Sequence, residues 1–105
     1  MWFELKTRKE ALAEELKNSA PPGVFVGIRY LMTRSATDPG WVIASLEFVR
    51  DKSIELDLAL IAAWLYDKSK KDKSCHINSG GKKVIKTKAG IRRGIEENLK
   101  IRKNN

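Results

Sequence analysis

Along VFVGIRYLMT, residues 24–33, the apolar side chains Val24, Val26, Ile28, Tyr30 and Met32 recur at every second position. A period of two built from β-branched and aromatic residues predicts a strand. WVIASLEFV at 41–49 repeats the pattern, with Val42, Ala44, Leu46 and Phe48 on one face and Ser45 and Glu47 on the other. If RSATDPG turns the chain, a register that faces Met32 with Val42 also faces Tyr30 with Ala44, Ile28 with Leu46 and Val26 with Phe48. The result is a hairpin with one apolar face. Asp38 before Pro39 is also a helix-start signal. On a helical wheel, however, Ser45, Glu47 and Arg50 scatter around the axis, so the hairpin is preferred over an all-helical 24–50.

Elsewhere the spacing is helical. FELKTRKEALAEELKN at 3–18 sets Leu5, Leu12 and Leu16 among alanines and charges and is stopped by NSAPPG, which predicts an amphipathic helix. Ser53 is placed to cap a second helix through IELDLALIAAWLYDKSK. Its Ile54, Leu56, Leu58, Leu60, Ile61, Trp64 and Leu65 surround most of the axis, which calls for cover on more than one side. A second copy of the chain, in a homodimer, is one source of that cover; the first or last helix is the other. KKDKSCHINSGG at 70–81 reads as a polar loop, KVIKT as a short edge strand. From about Thr87, Ile91, Ile95 and Leu99 mark a terminal amphipathic helix. The expected fold is therefore α+β, a single domain over 1–105 in which a β-hairpin or small antiparallel sheet packs against helices in the order α-β-β-α-(β)-α.

Composition agrees with one folded domain: of 105 residues, 42% are apolar and 32% charged. LALIAAWLY at 58–66 is too short to span a membrane. MWFELKTRKE lacks the apolar core of a signal peptide, and the single Cys75 can form no intrachain disulfide, so an intracellular location, cytoplasmic or nucleoid/nuclear, is expected. The distribution of charge says more than its +8 total. Residues 1–65 hold eight Lys/Arg against nine Asp/Glu, and residues 66–105 hold thirteen against four. A basic C-terminal segment, 82–105, suits a polyanion, because clustered cations release counterions from a phosphate backbone.

The sharpest motif is SGGKK at 79–83. A nucleotide-binding loop needs Gly, four residues, then Gly-Lys-Ser/Thr; here His76 stands at the first Gly and Lys83 at the Ser/Thr, and VIKT separates the glycines from the next helix. That rules against nucleotide hydrolysis and leaves contact with a nucleic-acid backbone. Cys75 and His76 are the sole Cys and His and are too few for a zinc site; as chain neighbours, they diverge too far for a nucleophilic pair. Asp38 and Glu47 could serve a metal-dependent nuclease, but Val49 stands where such a site has lysine. Trp2, Trp41 and Trp64 lie among apolar residues, which favours packing over stacking on bases.

The sequence thus predicts a non-enzymatic protein, without metal or cofactor, that holds DNA or RNA by its phosphates. The expected contacts are Lys82, Lys83, Lys86, Lys88, Arg92 and Arg93. The alternative is a protein-interaction module, an adaptor, inhibitor or assembly factor, that docks its basic helix on an acidic protein.

Overall fold

The structure, a computed structural model, describes residues 3–31, 40–49 and 56–103. In chain order the elements are β1 (Phe3–Thr7), α1 (Glu10–Ser19), β2 (Val24–Tyr30), β3 (Val42–Phe48), α2 (Leu58–Ser69), β4 (His76–Ser79), β5 (Lys82–Val84) and α3 (Lys88–Lys103). The strands form one antiparallel sheet in the order β2-β3-β1-β4-β5. The class is α+β, as expected, with a small sheet covered by helices.

The first strand is the centre of the sheet, and it falls where a helix is expected. In FELKT, Phe3, Leu5 and Thr7 are fully buried while Glu4 and Lys6 are only partly so. That alternation is a strand's, and it is satisfied on both sides, by β3 and β4. Leu5, Leu12 and Leu16 happen to share helical spacing, which disguises the break. The helix proper starts at Glu10 and buries Leu12, Ala13 and Leu16.

The β2–β3 hairpin forms in a register two residues from the expected one: Val24 faces Phe48, Val26 faces Leu46, Ile28 faces Ala44 and Tyr30 faces Val42. A shift of two leaves every side chain on its original face, so the apolar pattern alone does not distinguish the registers. The arbiter is the turn, and residues 32–39 of it lie outside the described residues.

All three helices pack into one core with the same face of the sheet. Phe3, Leu5, Val24, Val42, Ala44, Leu46, Phe48, Ile77 and Val84 meet Leu12, Ala13 and Leu16 of α1, Ile61, Ala62 and Leu65 of α2, and Ile91, Ile95 and Leu99 of α3. The expected cap at Ser53 lies outside the described residues; α2 begins at Leu58, with the Asp57 carboxylate accepting from the Leu60 amide at 3.0 Å. Between α1 and α3, α2 buries much of its apolar surface within the chain, and Leu60 is its large hydrophobic side chain left exposed. At the start of α3, Thr87 Oγ1 accepts from the Gly90 amide at 2.9 Å.

The expected loop at 70–81 is shorter than its polarity suggests. His76–Ser79 is β4, and Gly80 and Gly81, with φ of 58° and 83°, form a two-residue turn into β5. Positive φ at both central positions is the requirement of a type I′ hairpin, whose twist matches that of its strands. A Cβ at Gly81 would meet nothing within 4 Å, so its substitution is opposed by backbone conformation alone. Gly81→Ala is expected to cost about 1–2 kcal/mol in urea denaturation, against roughly zero for Lys82→Ala beside it.

Candidate nucleic-acid interface

Alternation along the strands gives the sheet a second face that none of the three described helices covers, although Ile43 on it is buried. Across it run Phe25 and Glu47; then Gly27, Ser45, Glu4, Asn78 and Lys83; then Arg29, Ile43, Lys6 and His76. Trp41 stands one residue before β3, with its carbonyl accepting from the Leu31 amide at 2.9 Å. The indole is half-buried. The Arg8 guanidinium lies 4.6 Å and the Lys6 ammonium 5.4 Å from its ring centroid, and the His76 imidazole lies 5.8 Å away, tilted by 42°. Both cations lie over the indole in cation–π contacts, which gather positive charge at this end of the sheet. Trp41 thus packs on the side chains of its own sheet and not in the core. Trp64 does pack, its indole N–H donating to Ser19 Oγ at 3.0 Å; Trp2 lies outside the described residues.

Trp41 shares its end of the molecule with a group of lysines. The end of β1, the start of β4, the end of α2 and the start of α3 meet there, joined by the turn at 70–75. The buried Asp72 carboxylate accepts from Thr7 Oγ1 at 2.6 Å and thereby ties this turn to β1. The Lys9 ammonium donates to the Lys71 carbonyl at 3.0 Å, and that of Lys86 to the carbonyls of Lys73 and Cys75 at 3.1 and 2.8 Å. Lys70 and Lys88 lie 5.4 and 5.7 Å from the Tyr66 ring centroid. The acids nearby offset part of this charge. Glu15 pairs with Lys71 at 2.7 Å and Lys68 at 3.4 Å, and the hydrogen bond from Lys71 leads in holding its carboxyl below the usual range. Asp67 pairs with Lys70 at 3.3 Å.

The six expected phosphate contacts do not form one strip. Lys86 and Lys88 belong to the end just described. Lys83 points from the uncovered sheet face, and Lys82, of opposite parity, is exposed at the far end of the β4–β5 hairpin. Arg92 bonds to Glu96 at 3.1 Å and lines an open depression of about 530 Å³ with Leu56, Asp57, Leu58 and Ala59, at the opposite end of α2. Arg93 is exposed on the outer side of α3. A three-residue strand and a helix running back beneath it separate charges that are close in sequence. Lys6, Arg8 and His76, together with Trp41, come to the site only through strand pairing, and the alternation of Glu4 and Lys6 with buried neighbours was the signal for the first of them.

Cys75 and His76 point to opposite sides. The thiol is buried, its sulfur 3.3 Å from the Ser69 carbonyl, and burial leads in pushing its pKa up despite the nearby Lys86; His76 is exposed on the uncovered face. Such a thiol is a poor nucleophile. Asp38 lies outside the described residues, and Glu47 is exposed on β3, opposite Phe25 of the edge strand. Among the described residues no three His, Cys, Asp or Glu gather as metal ligands, and no helix is long and apolar enough to cross a membrane. No family model, no curated protein and no solved structure matches this chain.

Proposed function

We propose that this chain is a non-enzymatic nucleic-acid-binding protein that stacks an unpaired base on Trp41 and grips the adjoining phosphates with the lysines at that end of the molecule. The observation that supports the proposal is the setting of Trp41: a half-buried indole with Lys6 and Arg8 over its ring, where a base would take the place of one cation, at the same end of the molecule as Lys70, Lys73, Lys86 and Lys88. Stacking favours any base, and lysine favours any phosphate, so the binding is directed to single strands with little sequence preference. Lys83 extends the contact across the sheet, while Lys82, Arg92 and Arg93 lie away from it. Such a partner puts the protein inside the cell, in the cytoplasm, nucleoid or nucleus. Docking of α3 on an acidic protein has weaker support, because Glu96 and Glu97 interrupt its basic face and Glu96 occupies Arg92.

Fluorescence anisotropy with a labelled oligo(dT) or oligo(U), and with a duplex of the same length, tests the proposal. Trp41→Ala is expected to weaken single-strand binding roughly 5- to 150-fold, the equivalent of about 1–3 kcal/mol for one stacked base. Lys73→Ala combined with Lys88→Ala is expected to reduce the slope of log affinity against log salt by up to about 1.4. Absence of binding at about 50 mM salt would overturn the function; binding that is indifferent to Trp41 would overturn the stacking site.

A further inference from the structure

The two ends of the sheet are unequal. At one edge β5 is three residues long and leads straight into α3. At the other, β2 runs seven residues with no bulge in its ladder to β3 and no hydrogen-bonded neighbour on its outer side among the described residues. Edge strands are ordinarily blunted by lysine, proline, bulges or shortness. VFVGIRY has no lysine, proline or bulge, and Arg29 is its single charge. Its neighbourhood also carries three of the five large hydrophobic side chains left exposed among the described residues, Phe25, Tyr30 and Leu31.

Gly27 adds an independent observation. A glycine inside a strand weakens it, and this one has no positive φ and faces open space: a Cβ there would meet nothing within 4 Å. Nothing within the described chain requires glycine at this position. Interior strand glycines mark sites where another backbone or a ligand approaches closely.

We propose that β2 pairs antiparallel with β2 of a second copy about a two-fold axis at Gly27, joining two sheets into one. The hydrogen bonds from Val49 to Gly23 and from Leu31 to Trp41 at the two ends of the β2–β3 ladder fix which groups face outward. By alternation the odd residues of β2 bond to β3, so the amides and carbonyls of Val26, Ile28 and Tyr30 point to the free edge. A two-fold at Gly27 aligns Val26 with Ile28 of the second copy, and Val24 with Tyr30, in hydrogen-bonded pairs. The Val24 amide is already given to Pro21, but its carbonyl remains for the Tyr30 amide. Gly27 then meets its own equivalent in a non-hydrogen-bonded pair, where the backbones come closest, about 4.5 Å between Cα atoms. On the uncovered face Phe25 meets Arg29, a cation on an aromatic ring, twice by symmetry. On the helix face Val26 meets Ile28, also twice. The strand is thus complementary to itself in hydrogen bonding and side-chain pairing, which is what an isologous interface demands. The joined sheet would also make the two uncovered faces continuous, although the pairing rests on the edge alone and not on nucleic-acid binding.

Light scattering on the intact protein across a dilution series tests this, with a mass of twice 11.9 kDa expected at the concentrated end. Gly27→Lys and Gly27→Glu each place like charges on the two-fold axis, in space that a single copy leaves open, and each alone is expected to be monomeric. Mixing the two variants is expected to restore the dimer. Circular dichroism should show both variants folded, and Ile28→Pro, which removes an outward-facing amide together with a half-buried side chain at the margin of the core, should also yield a monomer. A wild-type protein that is monomeric at all concentrations, or a dimer indifferent to all three substitutions, would overturn the proposal; in the first case the edge is left for a strand of another protein.

Discussion

Phe3→Ala is expected to cost about 3–5 kcal/mol of folding free energy. Phe3 is fully buried on the central strand and meets the Phe48 ring edge-on, with centroids 5.3 Å apart and planes at 73°. Its ring also packs over Gly94 of α3, close enough that a Cβ there would come within 3.5 Å of Phe3 Cε2. Truncation therefore opens a cavity where sheet and helix meet, and it forfeits an aromatic pair worth about 0.5–1.5 kcal/mol beyond its area. Against a total stability of about 5–15 kcal/mol, the variant should melt roughly 15–30 °C lower. Urea denaturation of Phe3→Ala beside Glu4→Ala makes the comparison. The neighbour's side chain lies on the uncovered face, with a loose 3.8 Å contact to Arg29, and its removal should change stability by less than about 0.5 kcal/mol. Losses of similar size at the two positions would contradict the central placement of β1.

That strand is also where the sequence is hardest to read. Five residues give a period-two pattern only two repeats in which to declare itself, and Leu5 lies in helical phase with Leu12 and Leu16. The longer strands β2 and β3 declare themselves by seven residues of alternation, and α3 by Ile91, Ile95 and Leu99. Their faces could be read from the pattern, but their register could not, because a slip of two residues preserves every face. In the same way polarity alone makes HINS resemble loop. It is a strand because Ile77 fills the core beside Leu5 and because Gly80 and Gly81 allow the tight return to Lys82.

The candidate site was legible in part. The charge asymmetry between the two halves pointed to Lys82, Lys83, Lys86, Lys88, Arg92 and Arg93, and of these Lys86 and Lys88 lie at the end that holds Trp41. What the sequence could not supply is long-range pairing. Trp41 looks like a core residue in WVIASLEFV, since Val42, Ile43 and Ala44 beside it are buried. Only the antiparallel placement of β1 against β3, and of β4 against β1, brings Arg8, Lys6 and His76 around the indole. Conversely, Lys82 and Lys86 are four apart in the chain, yet a strand carries them toward opposite ends of the sheet.

Removing the Asp72 carboxylate is expected to cost about 2–4 kcal/mol, because three donors lose their acceptor at once. Thr7 Oγ1 gives its hydrogen to it at 2.6 Å, and the Ser74 amide and hydroxyl donate at 3.0 and 2.7 Å. Thr7 is fully buried, so in Asp72→Ala its hydroxyl cannot turn to water instead. Asp72→Asn should fall between the two, since its amide keeps one acceptor but turns a donor toward groups that already donate. The same contacts set a dependence on pH. Burial raises the carboxyl's pKa, but the hydrogen bonds from Thr7 and Ser74 and the charge of Lys9 outweigh it, so the folded protein holds Asp72 below the ordinary range. A carboxyl lowered on folding stabilises fully above its unfolded pKa, near 3.9, and the contribution is lost as pH falls through the folded value. The stability gap between wild type and Asp72→Ala should therefore be widest at neutral pH and should narrow in acid. Urea titrations at pH 7 and at about pH 3 measure it. A gap that is unchanged in acid would mean that the turn at 70–75, and the lysines it carries to the candidate site, are held by packing and not by the ionised carboxylate.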